Sequence, residues 1–517
     1  MMDPTALSLY RRKVKTVEEL CRLIGSPPRD KKVIMCHGVF DIVHPGHVRH
    51  LIYAKSKGDV LVVSVTADAH IVKGNVRPYV PEDLRAINLA ALEMVDYVII
   101  DRDSRPLANL RRIQPDYFAK GYEYVDGGVN PKTQEEIEIL QSYGGEVIFT
   151  PGDIVYSSSR IIETCPPNIA SDKLMMLMEG EGIGFADLRH ALAKLAGIRV
   201  HVVGDTIVDS YTQCSMVGGM TKTPTMSVRF EERHDYTGGA AVVAKHIRAA
   251  GGEVRFSTVM GNDPLKDRVL EDLAATGVIC RPIIDATRPT THKNAIVVDG
   301  YRLIKIDTLD NHSISERILH ELAGQVAEER TDAVVLADFR HGIFNRGTIP
   351  PLVAAIPKDA FRVADSQVAS RWGNILDFKG FDLITPNERE ARFALGDQDS
   401  VVRPLGGELY RRAECKTLML KLGDRGMITF RDYALNDARS FFTIDSFAGR
   451  AVDPVGAGDA LLAYATLAMV ATRDGVIASI LGAFAAAVEC ERDGNVPVTP
   501  ADVVAKIDTV ERLVQYR

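Results

Sequence analysis

The chain has 517 residues, of which 46% are hydrophobic and 25% are charged, so its composition is globular and its length exceeds one ordinary core. The formal net charge of -7 argues against a nucleic-acid partner and leaves small phosphate compounds as ligands. The seven cysteines form no CxxC pair, which argues against disulfides or structural zinc and predicts a cytoplasmic protein. No stretch resembles an export signal or a membrane span, so we expect no membrane partner.

Strand and helix patterns alternate over the first third of the chain. The stretches KVIMCHGVF, DVLVVSVTAD and DYVIID predict strands, and the stretches VRHLIYAKSKG and LRAINLAALEMV predict helices. This alternation is typical of a parallel sheet covered by helices, an α/β fold of the Rossmann-like type. We assign residues 31–164 to this domain and residues 1–30 to a helical extension before it.

The pattern breaks after residue 164 and then resumes. Two prolines and a weakly periodic, Met-rich stretch predict a linker over residues 165–185. A second α/β series begins with IRVHVVGD and ends in apolar helices, so we assign residues 186–517 to a second domain. Within it, residues 210–236 are polar and alternate like strands, which predicts a small β lid.

The stretch GVFDIVHPGH, residues 38–47, runs from a predicted strand into a predicted helix. Such a junction presents free backbone N–H groups and the positive end of the helix dipole to a phosphate. His44 and His47 can donate hydrogen bonds there and stabilise the charge that develops as pyrophosphate leaves, while Gly46 lets the backbone approach. A capped helix that carries two solvent-exposed histidines is the alternative.

Further stretches follow this motif in order: VKGNVRP, PEDLR, ALEMVDYVI and SSSRII. Together they resemble the cytidylyltransferase-like nucleotidyltransferases over about 130 residues. The resemblance implies that His44, His47 and Lys120 are catalytic residues. The two histidines would bind the triphosphate, and Lys120 would contact phosphate or acceptor. It also implies nucleotide contacts for Gly38, Phe40, Asp41, Gly46, Lys73, Arg77, Arg85, Ser157, Ser158, Ser159 and Arg160. The resemblance implies that Asp41 positions the loop or a magnesium. Taken singly, the basic residues could be surface charges, the serines an N-cap, and Asp41 an ordinary cap.

A second strand-to-helix turn lies near the C-terminus, in DPVGAGDALLAYATLAM, residues 453–469. Gly456, Ala457 and Gly458 can direct backbone N–H groups at a transferred phosphoryl group. Asp459, at the helix start, can accept the proton of an attacking hydroxyl. This pattern points to phosphoryl transfer, although a tight turn without function is the alternative.

The stretches VGDTIVDSY, TGGAAVVAKHIRAAGG, TPNERE, KLGDRGM and GAGD occur in an order that resembles the ribokinase-like sugar kinases. The resemblance implies that Asp459 is the catalytic base and contacts the acceptor, and that Asn387 and Glu390 lie near Mg²⁺ and the ATP phosphates. It implies nucleotide contacts for Lys421, Gly423, Gly426, Gly456, Ala457 and Gly458. It implies acceptor contacts for Asp205, Asp209, Gly238, Gly239, Arg288 and Lys293. The alternative for Asp205 is that it only caps a neighbouring loop.

The combination of a sugar kinase with a nucleotidyltransferase resembles the bifunctional heptose 7-phosphate kinases and heptose 1-phosphate adenylyltransferases, and RPTTHK is the most specific match. The resemblance implies an enzyme that uses ATP and Mg²⁺, acts on sugar phosphates, produces ADP-heptose and forms a homo-oligomer such as a dimer. Three departures stand out. The transferase comes first, Val242 replaces an expected asparagine, and DSQV at 365–368 lacks an expected lysine.

Two alternatives stay open at this point. The first is a CTP-dependent cytidylyltransferase that acts on a polyol or amino-alcohol phosphate and is fused to a sugar kinase. The second is a nucleotide-binding regulator whose kinase half has decayed, since Val242 and the DSQV stretch both fall on the acceptor side of the kinase.

Overall fold

The computed structural model describes residues 10–71, 78–121, 131–150, 170–218, 226–328, 330–368, 373–431, 440–449 and 451–515. The main division of the chain into two compact units falls between Lys173 and Leu174. No helix within these ranges is long and apolar enough to cross a membrane. Each unit is described separately below.

The first unit is built on a parallel sheet. Its strands are β1 (Val33–Gly38), β2 (Val60–Thr66), β3 (Tyr97–Asp101), β4 (Tyr117–Gly121) and β5 (Glu146–Thr150). Its helices are α1 (Val17–Ile24), α2 (Pro45–Lys55), α3 (Glu82–Ala90), α4 (Leu107–Ile113) and α5 (Pro131–Gln141). The strand order is β3-β2-β1-β4-β5, and every pair is parallel.

Both faces of this sheet are covered, which explains why its strands are continuous apolar runs. Ile34 and Val63 belong to the core on one face, and Val33, Met35 and Leu20 of α1 belong to the core on the other. The predicted N-terminal helix therefore packs into the first unit. The order of the strands reverses between β1 and β4, so the crevice at their carboxyl ends is the place where such sheets bind ligands.

The second unit contains a larger sheet with the order β10-β9-β6-β13-β14-β15-β16-β17-β18, parallel as far as β16. Its strands are β6 (Arg199–Gly204), β9 (Glu253–Met260), β10 (Ile279–Ile284), β13 (Ala333–Asp338), β14 (Phe361–Ser366), β15 (Leu383–Ile384), β16 (Thr417–Lys421), β17 (Met427–Phe430) and β18 (Phe441–Ile444). The switch in strand order falls between β6 and β13, so ligand binding is expected beside their carboxyl ends.

Helices cover both faces of this sheet. They are α6 (Ala170–Glu181), α7 (Phe185–Ala193), α8 (Ala240–Ala249), α9 (Pro264–Ala275), α10 (Glu316–Glu328), α11 (Ile349–Ala355), α12 (Glu388–Leu395), α13 (Val402–Ala413), α14 (Ala457–Thr472), α15 (Gly475–Cys490) and α16 (Pro500–Gln515). The pair α14 and α15 is apolar on nearly all sides because it is buried in the core.

A separate four-stranded sheet forms the lid, with the order β12-β11-β7-β8. Its strands are β7 (Thr206–Gly218), β8 (Ser227–Gly239), β11 (Thr291–Val298) and β12 (Tyr301–Thr308). The lid was predicted from residues 210–236, and the structure adds the hairpin of β11 and β12 to it. The predicted α/β fold, with its Rossmann-like first sheet and its lid-bearing second domain, is confirmed.

Part of the segment predicted as a linker, residues 165–185, forms a helix. Helix α6 occupies residues 170–181, and its Leu174 and Met178 are buried in the core of the second unit. These two residues are four positions apart and so share one helix face. The apolar contact of that face with the core explains why a stretch with weak periodicity forms a helix here.

Candidate active sites

The histidine motif of the first unit lies where β1 leads into α2. His44 is the N-cap of α2, with an extended backbone, and Pro45 occupies the first helical position. The Gly46 N–H donates to His44 Nδ1 at 3.2 Å. Because Nδ1 accepts this bond, the neutral ring carries its proton on Nε2 and is a donor at that atom. The start of α2 thus places the Nε2–H of His44 beside the crevice between β1 and β4.

The two imidazoles of the motif are stacked. The ring centroids of His44 and His47 are 3.8 Å apart with an interplanar angle of 21°, and Phe40 contacts His47 edge-on at 5.0 Å. Burial, followed by the neighbouring His44 and His50, lowers the pKa of His47 to about 4, and burial lowers the pKa of His44. Both rings are therefore neutral near pH 7, and a bound polyphosphate would raise both pKa values.

Phe40 and Asp41 shape the loop before the histidines. Phe40 has a left-handed φ of 50°. Its ring lies close to Gly38, since a Cβ at Gly38 would be 3.1 Å from the nearest ring carbon of Phe40. The Asp41 carboxylate accepts from the N–H groups of Tyr79 and Val80 at 3.0 and 2.8 Å. Of the alternatives for Asp41, the structure therefore favours loop positioning.

Arg85, for which we predicted a nucleotide contact, is engaged within the protein. Its side chain is fully buried and donates to the carbonyls of Val80, Val39 and Thr66, and it pairs with Asp68 at 2.5 Å. These bonds tie the loop between β1 and α2, and both ends of the connection between β2 and α3, to helix α3 at the carboxyl edge of the sheet. A phosphate contact of this fully buried guanidinium would have to replace some of these bonds, so its contact with nucleotide stays a prediction.

Lys120 lies in β4, on the other side of the crevice from the histidine loop. Its ammonium donates to Thr133 Oγ1 at 3.2 Å and forms an ion pair with Glu136, with both side chains largely buried. Its catalytic role stays a prediction, because this pair must loosen before Lys120 can contact substrate. The predicted contacts Lys73, Arg77, Ser157, Ser158, Ser159 and Arg160 lie outside the described residues.

The glycine-rich turn of the second unit leads into α14. Gly456 has a left-handed φ of 87°, and a Cβ there would lie 2.5 Å from Asn495 Oδ1 and 3.0 Å from Glu489 Oε1. A Cβ at Gly458 would lie 3.4 Å from Lys421 Nζ. The turn therefore requires glycine at its first position, and its third residue, Gly458, lies close to the Lys421 ammonium group.

Asp459 lies in the first turn of α14, near a set of buried charges. Lys421 Nζ pairs with Asp365 Oδ1 at 3.0 Å. Burial, and then the negative charge of Asp365, raises the pKa of Asp459 to about 7, while Lys421 opposes the shift. A carboxylate with this pKa is suited to accept a proton from a hydroxyl near neutral pH.

Asn387 and Glu390 cap α12 and belong to the same edge of the sheet. Each side chain accepts from the backbone N–H of the other residue, at 2.9 and 2.7 Å, as a capping box. Burial, and then Asp365, raises the pKa of Glu390 to about 7. A cation would relieve this accumulation of negative charge, so Glu390 fits the role predicted for it.

The donor set also limits the kind of metal site. No cluster of three or more His, Cys, Asp or Glu that could hold a metal occurs among the described residues. Mg²⁺ commonly takes one or two carboxylates and completes its shell with substrate phosphates and water. The residues present therefore fit Mg²⁺ that arrives with ATP, with Glu390 as the carboxylate and Asn387 beside it.

Gly423 and Gly426 form the turn between β16 and β17. Both have left-handed backbones, with φ of 66° and 81°, and a Cβ at Gly426 would lie only 2.0 Å from the Ile444 carbonyl oxygen. The backbone geometry thus accounts for both glycines. Their contact with nucleotide stays a prediction.

The acceptor residues come together on the lid. Lys293 of β11 pairs in register with Asp209 of β7 and Asp307 of β12, so the three side chains share one face. A Cβ at Gly238 would lie 2.3 Å from Asp209 Oδ2, the end of a side chain that could shift. Gly239 has a left-handed φ of 66°, and a Cβ there would lie 2.4 Å from the Asp205 carbonyl oxygen, so this position requires glycine. The structure therefore places Asp209, Gly238, Gly239 and Lys293 together.

Two other residues predicted to contact the acceptor sugar already form hydrogen bonds or ion pairs within the protein. Asp205 is 2% exposed, and its carboxylate accepts from the N–H groups of Phe339, His341 and Ile343, which corresponds to the loop-capping alternative. Arg288 pairs with Asp285 at 2.9 Å and donates to backbone carbonyls. A contact of either side chain with the sugar would have to replace these bonds.

Some residues of the second site were missed. Asp365 belongs to the DSQV stretch, which we considered only as a departure, yet it is the ion-pair partner of Lys421. Glu489 is fully buried against Gly456, and neither its carboxylate oxygens nor Asn495 Oδ1 has a hydrogen-bond partner among the described residues. A charged residue in an otherwise apolar helix was the available signal for Glu489.

Two family models match separate parts of the chain. A family model described as pfkB family carbohydrate kinase matches residues 198–501, and one described as Cytidylyltransferase-like matches residues 35–164. The Bifunctional protein HldE of Geobacter metallireducens is 39% identical over 138 residues, which is 26% of this chain and 27% of that protein. The HldE of Campylobacter jejuni subsp. doylei is 36% identical over 157 residues, 30% of this chain and 32% of that protein. The chain thus spans less than a third of these curated relatives.

Solved structures agree at the level of the fold. Phosphofructokinase-2 from Escherichia coli, in complex with potassium, aligns with a TM-score of 0.51 and 17% identity over 61% of this chain and 100% of that chain. The same enzyme in complex with fructose-6-phosphate gives the same values. The family match covers more than half of the chain. The chain belongs to the pfkB family of carbohydrate kinases and carries a cytidylyltransferase-like domain before its kinase domain.

Proposed function

We propose that this chain is a bifunctional enzyme of ADP-heptose synthesis. Its second domain phosphorylates heptose 7-phosphate at C1 with ATP, which gives heptose 1,7-bisphosphate and ADP. After a separate hydrolysis removes the 7-phosphate, its first domain transfers AMP from a second ATP to heptose 1-phosphate and releases pyrophosphate. The observation that carries this proposal is the group of Asp459, Lys421 and Asp365 at the glycine-rich turn, in one chain with the stacked His44 and His47.

In the kinase step, the C1 hydroxyl oxygen attacks the γ-phosphorus of ATP, its proton passes to Asp459, and ADP leaves. The N–H groups of the turn from Gly456 to Gly458 stabilise the charge on the transferred group. Lys421 keeps its positive charge, because Asp365 and Glu390 outweigh the effect of burial and raise its pKa. Mg²⁺, held by Glu390 and the phosphates, would neutralise the charge on the β and γ phosphates.

In the transferase step, an oxygen of the sugar 1-phosphate attacks the α-phosphorus of ATP. This oxygen is already anionic, so the step needs no base, only alignment and charge stabilisation. The Nε2–H of His44, the ring of His47 and the start of α2 supply donors for the leaving pyrophosphate. The neutral state of both rings keeps them ready to donate without a proton loss beforehand.

The alternatives are weaker on specific grounds. Intact Asp459, Lys421 and Glu390 in one buried network argue against a decayed kinase. Val242 lies buried in α8, and Asp365 of the DSQV stretch is used as the partner of Lys421, so neither departure removes the phosphoryl-transfer machinery. Assembly as a homo-oligomer and a cytoplasmic location stay predictions.

The test is mass spectrometry of the products formed from heptose 7-phosphate, with other sugar phosphates in parallel, when ATP and CTP are supplied together. We expect heptose 1,7-bisphosphate from the kinase step and an ADP-sugar when a heptose 1-phosphate is supplied. A CDP product would assign the first domain to the cytidylyltransferase alternative. Nucleotide binding without any phosphorylated sugar would contradict the kinase assignment and favour the regulator.

A further inference from the structure

The crevice between β1 and β4 in the first unit has two different walls. Helix α2 packs on one face of the sheet, where its Leu51 joins the core. Helix α5 packs on the other face, where its Leu140 joins the second core. The two helices therefore border the crevice from opposite sides, as is typical of a switch point in a parallel sheet. The α2 wall carries the stacked histidines, and the α5 wall carries Glu136, which was absent from the sequence predictions.

Lys120 fixes the position of Glu136. Ala119 belongs to the core on the α2 side, so the alternation of a strand directs the next residue, Lys120, toward α5. Its ammonium donates to Oε2 of Glu136 and, at 3.2 Å, to Thr133 Oγ1. The side chains of Lys120 and Glu136 are 11% and 7% exposed. The Glu136 side chain has no other hydrogen bond among the described residues, so its Oε1 can still accept one.

The ion pair lies at the carboxyl edge of the sheet, next to β1. Cys36 of β1 pairs with Ala119 of β4, so His37 and Lys120 follow at the same level. Burial, and then the charge of Lys120, lowers the pKa of His37 to about 4. Both ring nitrogens of His37 already contact side-chain hydroxyls of β2, at 2.9 and 3.3 Å. Of the three polar side chains here, only Glu136 keeps an acceptor atom without a partner in the described part of the chain.

The charge of the ion pair determines which ligand group it suits. An ammonium that already faces a carboxylate attracts a further anion weakly, and it repels a cationic amine from the same carboxylate. A hydroxyl group is neutral and can donate to Oε1 of Glu136 without leaving a charge unpaired. The lid of the second unit, where the predicted acceptor residues come together, likewise sets Lys293 in register with Asp209 and Asp307. The α5 wall is therefore suited to the hydroxyl groups of a sugar.

We propose that Glu136 binds hydroxyl groups of the acceptor sugar in the first domain, with Lys120 and Thr133 as the residues that position its carboxylate. The contact makes the transferase select a sugar phosphate over a phosphate monoester that lacks hydroxyls. This inference rests on the proposed adenylyl transfer and adds to it a residue that recognises the acceptor. If Glu136 instead only kept Lys120 from binding phosphate, its removal would have the opposite effect on acceptor affinity.

The test variant is Glu136→Gln, which keeps the shape of the side chain and removes its charge. The matched control is Glu135→Gln. Glu135 is the preceding residue of α5 and forms an exposed ion pair with Arg105 at 2.6 Å, so both variants remove one carboxylate of an ion pair from the same helix. Glu136→Asp keeps a carboxylate for Lys120 and sets it back by one methylene. Thermal unfolding of each variant checks that the fold is retained.

Pyrophosphate release at saturating ATP gives kcat and KM for heptose 1-phosphate, and isothermal titration calorimetry gives the Kd of this sugar and of cyclohexyl phosphate, a ring phosphate without hydroxyls. We expect the wild-type chain to bind heptose 1-phosphate about tenfold more tightly than cyclohexyl phosphate. Glu136→Gln should raise KM and Kd for heptose 1-phosphate about tenfold, the difference between a charged and a neutral acceptor. It should not raise the Kd of cyclohexyl phosphate, and kcat should stay within about twofold.

The remaining variants have defined outcomes as well. Glu135→Gln should match the wild type with both compounds. Glu136→Asp should give an intermediate KM for heptose 1-phosphate, because its carboxylate is retained at a greater distance. Should Glu136→Gln fail to fold, Glu136→Asp takes its place, and an unchanged preference in that chain counts against the inference.

Three results would overturn the inference. The first is a wild-type chain that binds both compounds equally, and the second is a Glu136→Gln chain that keeps the wild-type preference. The third is a lower KM for heptose 1-phosphate in Glu136→Gln, which would mean that Glu136 only keeps Lys120 from phosphate. Failure of the proposed adenylyl transfer is distinguishable, because calorimetry requires no turnover. If the preference depends on Glu136 but no pyrophosphate is released, the contact stands and the proposed activity is wrong.

Discussion

The two sites handle phosphate with opposite sets of charges. At the start of α2, the groups that face the crevice are two stacked imidazoles, and their lowered pKa values keep them neutral. At the start of α14, buried carboxylates surround one ammonium, and the pKa values of Asp459 and Glu390 are raised to about 7. Both sites use a glycine-bearing turn at the carboxyl edge of a parallel sheet. The turn is therefore common to both, and the side chains differ.

The difference follows from the nucleophile of each proposed reaction. A sugar phosphate oxygen is already negative, so a base would serve no purpose in the first domain, and neutral donors for the leaving group are sufficient. A sugar hydroxyl has to lose a proton, so the second domain needs a carboxylate whose pKa matches the working pH.

Asp459→Asn should separate the two reactions most clearly. Loss of the proton acceptor should lower kcat for sugar phosphorylation about 10²- to 10⁴-fold, while adenylyl transfer to a supplied sugar 1-phosphate should stay unchanged. Coupled assays of ADP and pyrophosphate release measure the two reactions separately. The control is Asp267→Asn, at an exposed position of α9. Equal loss of both activities would contradict the separation.

His47→Ala should give the complementary result. Removing a donor from the leaving pyrophosphate should lower kcat for adenylyl transfer about 10²- to 10³-fold and should leave sugar phosphorylation intact. Pyrophosphate release with ATP and sugar 1-phosphate is the measurement. His190→Ala, at an exposed histidine of α7, is the control. A variant with normal pyrophosphate release would show that the stacked pair is only structural.

Arg85→Met tests whether Arg85 stabilises the first unit. The substitution leaves buried carbonyls and Asp68 without their donor, so the first unit should lose about 3–5 kcal/mol of unfolding free energy. Urea unfolding of the full chain measures this, with Arg111→Met, an exposed residue of α4, as the control. Normal stability together with a raised KM for ATP would instead support the phosphate-binding prediction.

Glu489→Gln tests the cost of a buried carboxylate behind Gly456. Burial raises the pKa of Glu489 to about 7, above its unfolded value, so the native state prefers the protonated form and stability falls as pH rises between the two pKa values. Glu489→Gln should therefore be more stable than the wild type by about 2 kcal/mol at pH 8 and nearly equal to it at pH 4.5. Urea unfolding at both pH values measures the difference.

The control for that variant is Glu253→Gln, at an exposed position of β9. It should show the same stability relative to the wild type at both pH values. A Glu489→Gln chain that is less stable at pH 8 would mean that the carboxylate has a partner in solution, and that its negative charge contributes to the fold.

We expect a smaller change when kcat/KM of the kinase reaction is measured as a function of pH. Asp459 must be deprotonated to act as a base, so kcat/KM for sugar phosphorylation should fall about tenfold per pH unit below pH 7 and reach a plateau above it. Adenylyl transfer should not share this slope, because no base acts in that step. Initial rates between pH 5.5 and 8.5 for both reactions measure the contrast.

Most of the fold could be predicted because strand and helix periodicity is local. The segment at residues 170–181 was the exception, since its helix depends on a core that Leu174 and Met178 join from a distance. Within the sites, Gly456 and Asp459 could be placed by pattern, because a left-handed turn before a helix requires glycine and orients the next side chains. Asp365 could not, because its importance comes from an ion pair with a residue 56 positions away.

The two strand-to-helix turns suited to phosphate can be predicted from local sequence, because histidine, proline and glycine act there through local backbone geometry. Which polar side chains remain available to ligands depends instead on contacts between distant parts of the chain. The Arg85 guanidinium donates to a carbonyl 46 positions away, and the Asp205 carboxylate accepts from an N–H group 134 positions away. Arg340, in contrast, has a buried Nε without a hydrogen-bond partner among the described residues. The physical reason is that a buried polar group must find a partner, and the fold alone decides whether a distant loop supplies it.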